Sequence, residues 1–342
     1  MKPDRVVVLG CGPAGAAAAI TLAARGISPV VIDPRPSVEW EPGEGLPAAA
    51  TPLLRKLGVW PAFQASGHLR SSGFLSCWGS DEPAFRPALL DPRGPSWQLD
   101  RAAFNGILRD AAGTPLTRRV NDVRRHGPGW MIDRLEADFL IDATGRAGAL
   151  ARLLGVPRRV DSRLVGMVAL LPDPSPAEAA SIVEAARDGW WYASRVPGDR
   201  LVVALFTDAS VARDISPDRW MSLLESTAHA GPRAGSGFPP PKIRTVAAGS
   251  SALSQCAGPG WVAVGDAACA HDPLSSRGLH DALSEGIAAA EAVALGDPSA
   301  IDAYAARTAA EYRAYLDDLA WYYRQETRFP DSAFWKGRSG QV

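Results

Sequence analysis

The stretch RVVVLGCGPAG at residues 5–15 admits few folds. A β-branched run is followed at once by Gly10-Cys11-Gly12-Pro13-Ala14-Gly15, and then by AAAAITLAARG, which ends at Gly26. The run has the composition of a buried parallel strand, and the alanine-rich segment that of a closely packed helix. Residues 29–32 form a second apolar run that stops at Asp33, 18 residues after Gly15. This is a βαβ unit in which each glycine has a task. Gly10 makes the tight turn, Gly12 admits a pyrophosphate close to the backbone, and Gly15 lets helix pack on strand. The helix start, with Pro13 and Ala14, offers free N–H groups and a positive dipole end to phosphates. Asp33 at the strand tip is placed to bind ribose hydroxyls. The unit predicts dinucleotide binding and leaves FAD and NAD(P) both open.

Composition removes several other classes. The 342 residues suit roughly two domains. With 46% hydrophobic and 21% charged residues the chain can bury a sizeable core. The formal net charge is -1, without a long run of one sign, so neither nucleic acid nor a membrane surface is expected as a partner. No apolar stretch approaches the roughly 18 residues of a membrane span. Residues 1–5 lead straight into the first strand, without the apolar core of a signal peptide. Cys11, Cys77, Cys256 and Cys269 are widely separated. That pattern predicts a reduced, cytoplasmic chain without a disulfide or metal framework. Among eleven tryptophans, those of Gly189-Trp190-Trp191-Tyr192 are expected near the surface. Lysine is scarce: Lys2, Lys56, Lys242 and Lys336 are all there are.

Three more segments extend the first unit. Residues 98–110, QLDRAAFNGILRD, predict a helix opening near Asp100-Arg101. Residues 138–146, DFLIDATGR, predict a strand that ends in the turn Asp142-Ala143-Thr144-Gly145. Residues 261–264 predict a strand ending in Gly265-Asp266, followed by Pro273, Gly278, Leu279 and a helix to about Leu295. Together with the glycine motif, these segments resemble the FAD-binding domain of flavoprotein aromatic hydroxylases of the para-hydroxybenzoate hydroxylase type. The resemblance implies a Rossmann-like (GR2-type) α/β domain with FAD as the cofactor and NADH or NADPH as external electron donor. It implies that Asp266 binds the ribityl chain, where hydroxyl donors need an acceptor-only group. Pro273, Gly278 and Leu279 would lie against the isoalloxazine, Arg101 would reach the phosphates, and Gln98 would lie nearby. Pro34, Arg35, Gly45, Leu46, Val120 and Gly265 complete the implied cofactor set. An N-cap or salt-bridge role is the ordinary alternative for Asp266.

Within that group, residues 43–47, Gly-Glu-Gly-Leu-Pro, resemble the flavin-facing Gly-Glu-Ser-Leu-Pro segment of the tryptophan halogenase-like branch. GWWYASRVP at residues 189–197 resembles that branch's central hairpin. The C-terminal WYYRQETRFPDSAFWKGR resembles the tail of flavoproteins that modify a tryptophan residue in tryptophylquinone biogenesis. Three positions depart from the branch: Gly45 replaces a small hydroxyl residue, Arg277 stands where a neutral amide is common, and His280 follows it. The halogenases use a tunnel lysine some tens of residues after the Gly-Glu segment, but no lysine lies between Lys56 and Lys242. Their Trp-x-Trp-x-Ile-Pro signature is also not reproduced. Halogenation is therefore not expected.

Residues 70–97 and 161–255 predict an antiparallel substrate sheet, broken by a helix in DRWMSLLESTAHA. They interrupt the cofactor domain, assigned to residues 1–69, 98–160 and 256–296, and residues 297–342 form a C-terminal helix and tail. Trp78, Trp97, Trp190, Trp191 and Tyr192 are candidates to line the site, although large rings at alternating positions also serve as plain core. Asp297-Pro298 caps the last helix, where Ile301, Tyr304, Thr308, Tyr312, Tyr315, Leu319 and Tyr322 form a stripe. The stripe is expected to pack on the cofactor domain; a contact of its aromatic end, with FPDSAFW beyond it, to a protein partner is the alternative. Glu44 and His271 are the candidates for proton handling. A carboxylate paired with an arginine and a turn histidine are their ordinary alternatives. The resemblance implies a monooxygenase that delivers hydroxyl from a C4a-hydroperoxyflavin to an indole or phenol ring, plausibly a tryptophan on a protein or peptide. Hydroxylation of a small aromatic metabolite, a non-catalytic FAD-bound assembly factor and a prenyl reductase are the alternatives.

Overall fold

Val6–Leu9 is buried at every position and pairs in parallel with a strand on each side, Phe139–Asp142 and Val30–Ile32. Apolar residues on both faces are what such a central strand requires. Trp261–Ala263 continues the parallel order beyond Phe139–Asp142, and Ala257–Gly258 closes that edge antiparallel. The computed structural model describes residues 3–34, 40–237, 239 and 241–339, so Arg35 lies outside the described residues.

The alanine run becomes the helix Pro13–Ala24, whose residues Ala16–Ala19 are inaccessible to solvent. Its small side chains are needed because the helix Gly278–Leu295 crosses it at close range. A Cβ at Gly286 would come within 2.2 Å of the Ala14 carbonyl oxygen. The helix Arg101–Ala112 starts as expected, with the Asp100 carboxylate accepting from Ala103 N–H at 3.0 Å.

The second sheet has seven strands. From one edge to the other they are Arg244–Ala247, Leu164–Pro172, Arg200–Asp208, Gly189–Val196, Ala180–Ala186, Gly73–Cys77 and Ala84–Pro87. It is not wholly antiparallel, because Ala180–Ala186 runs parallel to Gly73–Cys77. Parallel pairing is possible there since about a hundred residues of chain separate the two strands, ample for a crossover. Ser251–Leu253, grouped with this sheet from sequence, pairs instead with Arg158–Val160 and Cys269–Ala270. The helices Pro217–Glu225 and Ala230–Ala234 cover one face.

Side-chain alternation divides the Trp190-Trp191 pair between the faces. Trp191 meets Trp220 of the covering helix, while Trp190 stacks on Phe206 of the neighbouring strand at 4.1 Å. Both indoles are 1% exposed, which corrects the expectation of a surface segment.

The helix Pro298–Arg324 is capped by Asp297 and packs Ile301, Tyr304, Tyr312 and Tyr315 on the cofactor domain. At its end the stripe departs from expectation: Tyr323 is buried, whereas Tyr322 is 55% exposed. The tail does not offer Phe334 and Trp335 to a partner. Both are buried, and Trp335 Nε1–H donates to the Ala186 carbonyl at 2.9 Å. Among the described residues, no helix is long and apolar enough to cross a membrane.

Candidate functional site between the two sheets

A cavity of about 490 Å³ lies where the tips of the parallel strands meet the open face of the seven-stranded sheet. Its two halves differ in chemistry because they come from different elements. The sheet contributes alternate positions of its strands, among them Phe74, Val183, Trp190, Val202, Ala204 and Phe206. The strand tips and turns contribute Gly12, Pro13, Ala14, Ala143, Gly145, Asp266, Pro273, Gly278 and Leu279, with the charged Arg101, Arg146 and Arg277. The volume falls in the roughly 300–1,000 Å³ range usual for small-molecule sites.

The glycine motif divides its labour. Gly10 has φ +97°, and a Cβ there would come within 2.3 Å of the Ala143 carbonyl oxygen. A Cβ at Gly15 would come within 2.0 Å of the Gly10 carbonyl oxygen. These two glycines therefore serve close packing, while Gly12 faces the cavity at the helix start. No side chain caps that helix. The N–H groups of its first turn thus suit an acceptor from outside the chain.

Asp33 is buried at the strand tip, where it accepts from Cys11 N–H at 2.9 Å and pairs with Arg109 at 3.2 Å. Pro34 is exposed beside it. The Asp142 carboxylate accepts from Thr144 N–H and hydroxyl, and Thr144 Oγ1 in turn accepts from Ala149 N–H. That turn is self-supporting. Asp266 pairs with Arg146 at 3.3 Å, so the salt-bridge alternative is realised at a residue that also lines the cavity. Arg146 donates as well to the His271 carbonyl at 2.7 Å and to the Gly249 carbonyl, tying together three turns around the cavity.

Gly265 lies behind the lining, its N–H donating to Glu285 at 2.7 Å. Burial pushes the Glu285 carboxyl up to about 8. Leu46 and Val120 pack with the core. Gln98 pairs with Gly45 across strands and donates to Ser181 at 2.6 Å.

Glu44 and His271, far apart in sequence, both line the cavity and are both buried. Burial pushes the Glu44 carboxyl up, against the Gly43 N–H that donates to it at 2.9 Å and the nearby Arg101 charge. The Tyr192 hydroxyl also acts to lower it. His271 stands edge-on to Tyr315 with centroids 4.5 Å apart. Burial lowers its pKa, while Asp281, 4.0 Å away, acts in the opposite direction. Asp281 also accepts from Arg277 at 2.9 Å and pairs with His280 at 3.0 Å. Two of the three positions that depart from the branch pattern, Arg277 and His280, are thus joined through one carboxylate.

Of the aromatic candidates, only Trp190 and Tyr192 line the cavity. Trp97 packs edge-on to Phe63, and Trp78 edge-on to Trp335. Sequence reasoning missed Arg146, although it directly follows the Asp-Ala-Thr-Gly turn, and Asp272, which adjoins His271.

The residues present fit FAD. A Cβ at Gly145 or Gly278 would meet no protein atom within 4 Å, so backbone is laid open to a ligand at two points of the lining. Among the described residues no cluster of His, Cys, Asp and Glu could hold a metal ion.

Comparison with known proteins agrees. Residues 86–341 match the tryptophan halogenase family, and residues 4–98 match an FAD-binding domain. LodB of Marinomonas mediterranea, named as an FAD-dependent oxidoreductase, is 29% identical over 99% of this chain and 97% of its own length. The flavin-dependent halogenase CmlS superposes with a TM-score of 0.86 at 26% identity, over 100% of this chain and 68% of that one. The peptidyl tryptophan dihydroxylase QhpG, essential for tryptophylquinone cofactor biogenesis, superposes with a TM-score of 0.80 at 26% identity, over 99% and 79%. The chain spans between 60% and 65% of the length of several curated halogenases it matches.

Proposed function

The chain belongs to the tryptophan halogenase family and is an FAD-dependent oxidoreductase, and from that premise we propose that it hydroxylates an aromatic ring, a tryptophan carried on a protein or peptide. The observation that carries this reading over halogenation is the placement of lysine. Among the described residues no lysine lines the cavity: Lys56 pairs with Glu291 at 3.1 Å, Lys336 with Asp331 at 4.0 Å, and Lys242 is exposed. The likeness to QhpG, whose substrate is a peptidyl tryptophan, supports the choice of ring and carrier. The four cysteines are all buried, which fits a reaction in the reducing cytoplasm.

Bound FAD, reduced by NADH or NADPH and met by dioxygen, supplies the activated oxygen. The chain's part is to bind, orient and manage protons. The start of helix Pro13–Ala24 and Arg101 would hold phosphate, Asp33 would take the adenosine ribose and Asp266 the ribityl chain. Pro273, Gly278 and Leu279 bound the ring system. The apolar sheet face excludes water, and the Trp190–Phe206 stack offers a flat wall to a substrate ring. Glu44, whose burial favours the protonated form, is placed to donate a proton, and His271, whose burial favours the neutral form, to accept one.

The test incubates FAD-loaded protein with NADH, oxygen, bromide and a set of tryptophan-bearing peptides, read by mass spectrometry. The expected product has gained oxygen on the indole. Bromine incorporation, or turnover of free tryptophan alone, would refute the proposal.

A further inference from the structure

Three segments distant in sequence meet at one phenol. Trp190 Nε1–H donates to the Tyr323 hydroxyl at 3.1 Å, and that hydroxyl donates to Asp272 Oδ2 at 2.8 Å. Asp272 Oδ1 accepts from Leu274 N–H at 2.9 Å. All three side chains are buried. Trp190 and Asp272 line the cavity, while Tyr323 stands behind it on the C-terminal helix.

The direction of the chain is forced by chemistry. An indole N–H can only donate and an ionised carboxylate can only accept, so the single phenolic proton points to Asp272 and the oxygen lone pair to Trp190. A proton placed on Asp272 Oδ2 undoes this arrangement. The carboxyl becomes a poorer acceptor and gains a donor, and where that donor points at Tyr323 the phenol must accept from both sides and its own proton loses its partner. A buried polar group in that state carries its full desolvation penalty.

We propose that Tyr323 is a positioning residue that ties the orientation of the Trp190 wall to the charge state of Asp272, which makes the C-terminal helix part of the site. The proposal rests on reading this cavity as the place where substrate meets flavin. Burial pushes Asp272 up to about 6, opposed by the Leu274 N–H, the Tyr323 hydroxyl and the charges of Arg338 and Arg146. Arg338 comes from the terminal helix and Arg146 from the turn beneath. Tyr315 faces the same residue, its hydroxyl accepting from Asp272 N–H at 2.6 Å and sharing a hydrogen bond with Ser250. His271 precedes it in the chain. The coupling therefore acts at mildly acidic pH.

FAD-loaded protein without any substrate is titrated from about pH 8 to about pH 5, a window that brackets the carboxyl. Near-ultraviolet circular dichroism and flavin absorbance are followed together. The wild type is expected to give one reversible transition near pH 6. The transition should be lost in Tyr323→Phe, which keeps the ring and removes both bonds, and in Asp272→Asn, which keeps the shape and cannot titrate. Trp190→Phe should keep the titration and lose its indole band. Tyr315→Phe, which removes the acceptor of Asp272 N–H and the link to Ser250 but leaves both bonds of the Tyr323 hydroxyl, should keep a transition. A wild type without a transition, or a transition that persists in Asp272→Asn or Tyr323→Phe, would overturn the proposal. Should Tyr323→Phe fail to hold FAD, the Asp272 and Trp190 variants decide the matter. No turnover is read, so a failure here is distinct from a failure of the hydroxylation reading.

Discussion

Glu285→Gln is expected to stabilise the protein at neutral pH, and the gain can be worked from one buried carboxyl. Glu285 is 6% exposed beneath the Gly265-Asp266 turn, and it accepts from Gly265 N–H at 2.7 Å. Burial raises its pKa from 4.5 to about 8, helped by the charges of Asp281, Glu311 and Asp266. At pH 7 the folded protein therefore keeps the proton that the unfolded chain has released. Holding it across a gap of about 2.5 pH units costs about 3 kcal/mol, at roughly 1.4 kcal/mol per unit. Glutamine keeps the shape and the acceptor for Gly265 and has no proton to hold. The sign follows from a folded-state value above the unfolded one. Between pH 4.5 and about 8 the folded state binds more protons, so wild-type stability falls with rising pH relative to the variant. The difference should vanish below about pH 4.5 and level off above about pH 8 near 5 kcal/mol. Urea unfolding at saturating FAD, repeated across that range, measures it. A stability difference that does not change with pH, or a variant weaker than wild type at pH 7, would refute the reasoning.

Gly15→Ala is expected to lose bound flavin and about 1–3 kcal/mol of stability, because its Cβ would come within 2.0 Å of the Gly10 carbonyl oxygen; flavin absorbance after gel filtration, with a denaturation curve, checks both. Asp266→Ala should weaken FAD binding roughly 10- to 100-fold, the worth of charge-assisted hydrogen bonds of about 1.5–3 kcal/mol. Flavin fluorescence titration reads that change, and unaltered affinity would remove Asp266 from the site. Trp191→Ala should cost about 3–5 kcal/mol while FAD stoichiometry stays intact. Its ring meets Trp220 on the face of the sheet away from the cavity, so loss of flavin in a folded variant would contradict that placement.

Where the sequence was legible, the constraint was local. The spacing of Gly10, Gly12 and Gly15 is dictated by one turn and one helix crossing, and Asp100 and Asp297 announce helix starts within three residues of themselves. Asp266 at a strand tip could be singled out for the same reason. Periodicity failed where two answers fit it equally. Tyr322 and Tyr323 lie three and four residues after Leu319, and a period of 3.6 residues separates them poorly. The choice was made by Asp272 and Trp190, which give the buried hydroxyl of Tyr323 a partner on each side, and neither is near it in sequence. Trp190 and Trp191 posed the converse problem. In a strand, adjacent residues must face opposite ways; Trp191 is buried against Trp220 and Trp190 against Phe206 and Trp78, and which indole meets the cavity depends on the register with Phe206. Arg146 followed a recognised turn, and its three acceptors, on Gly249, Asp266 and His271, all lie more than about a hundred residues further along the chain. The cofactor half of the site thus grows out of short motifs. The wall opposite is a product of long-range packing, and that is where one family on one cofactor can vary what it accepts.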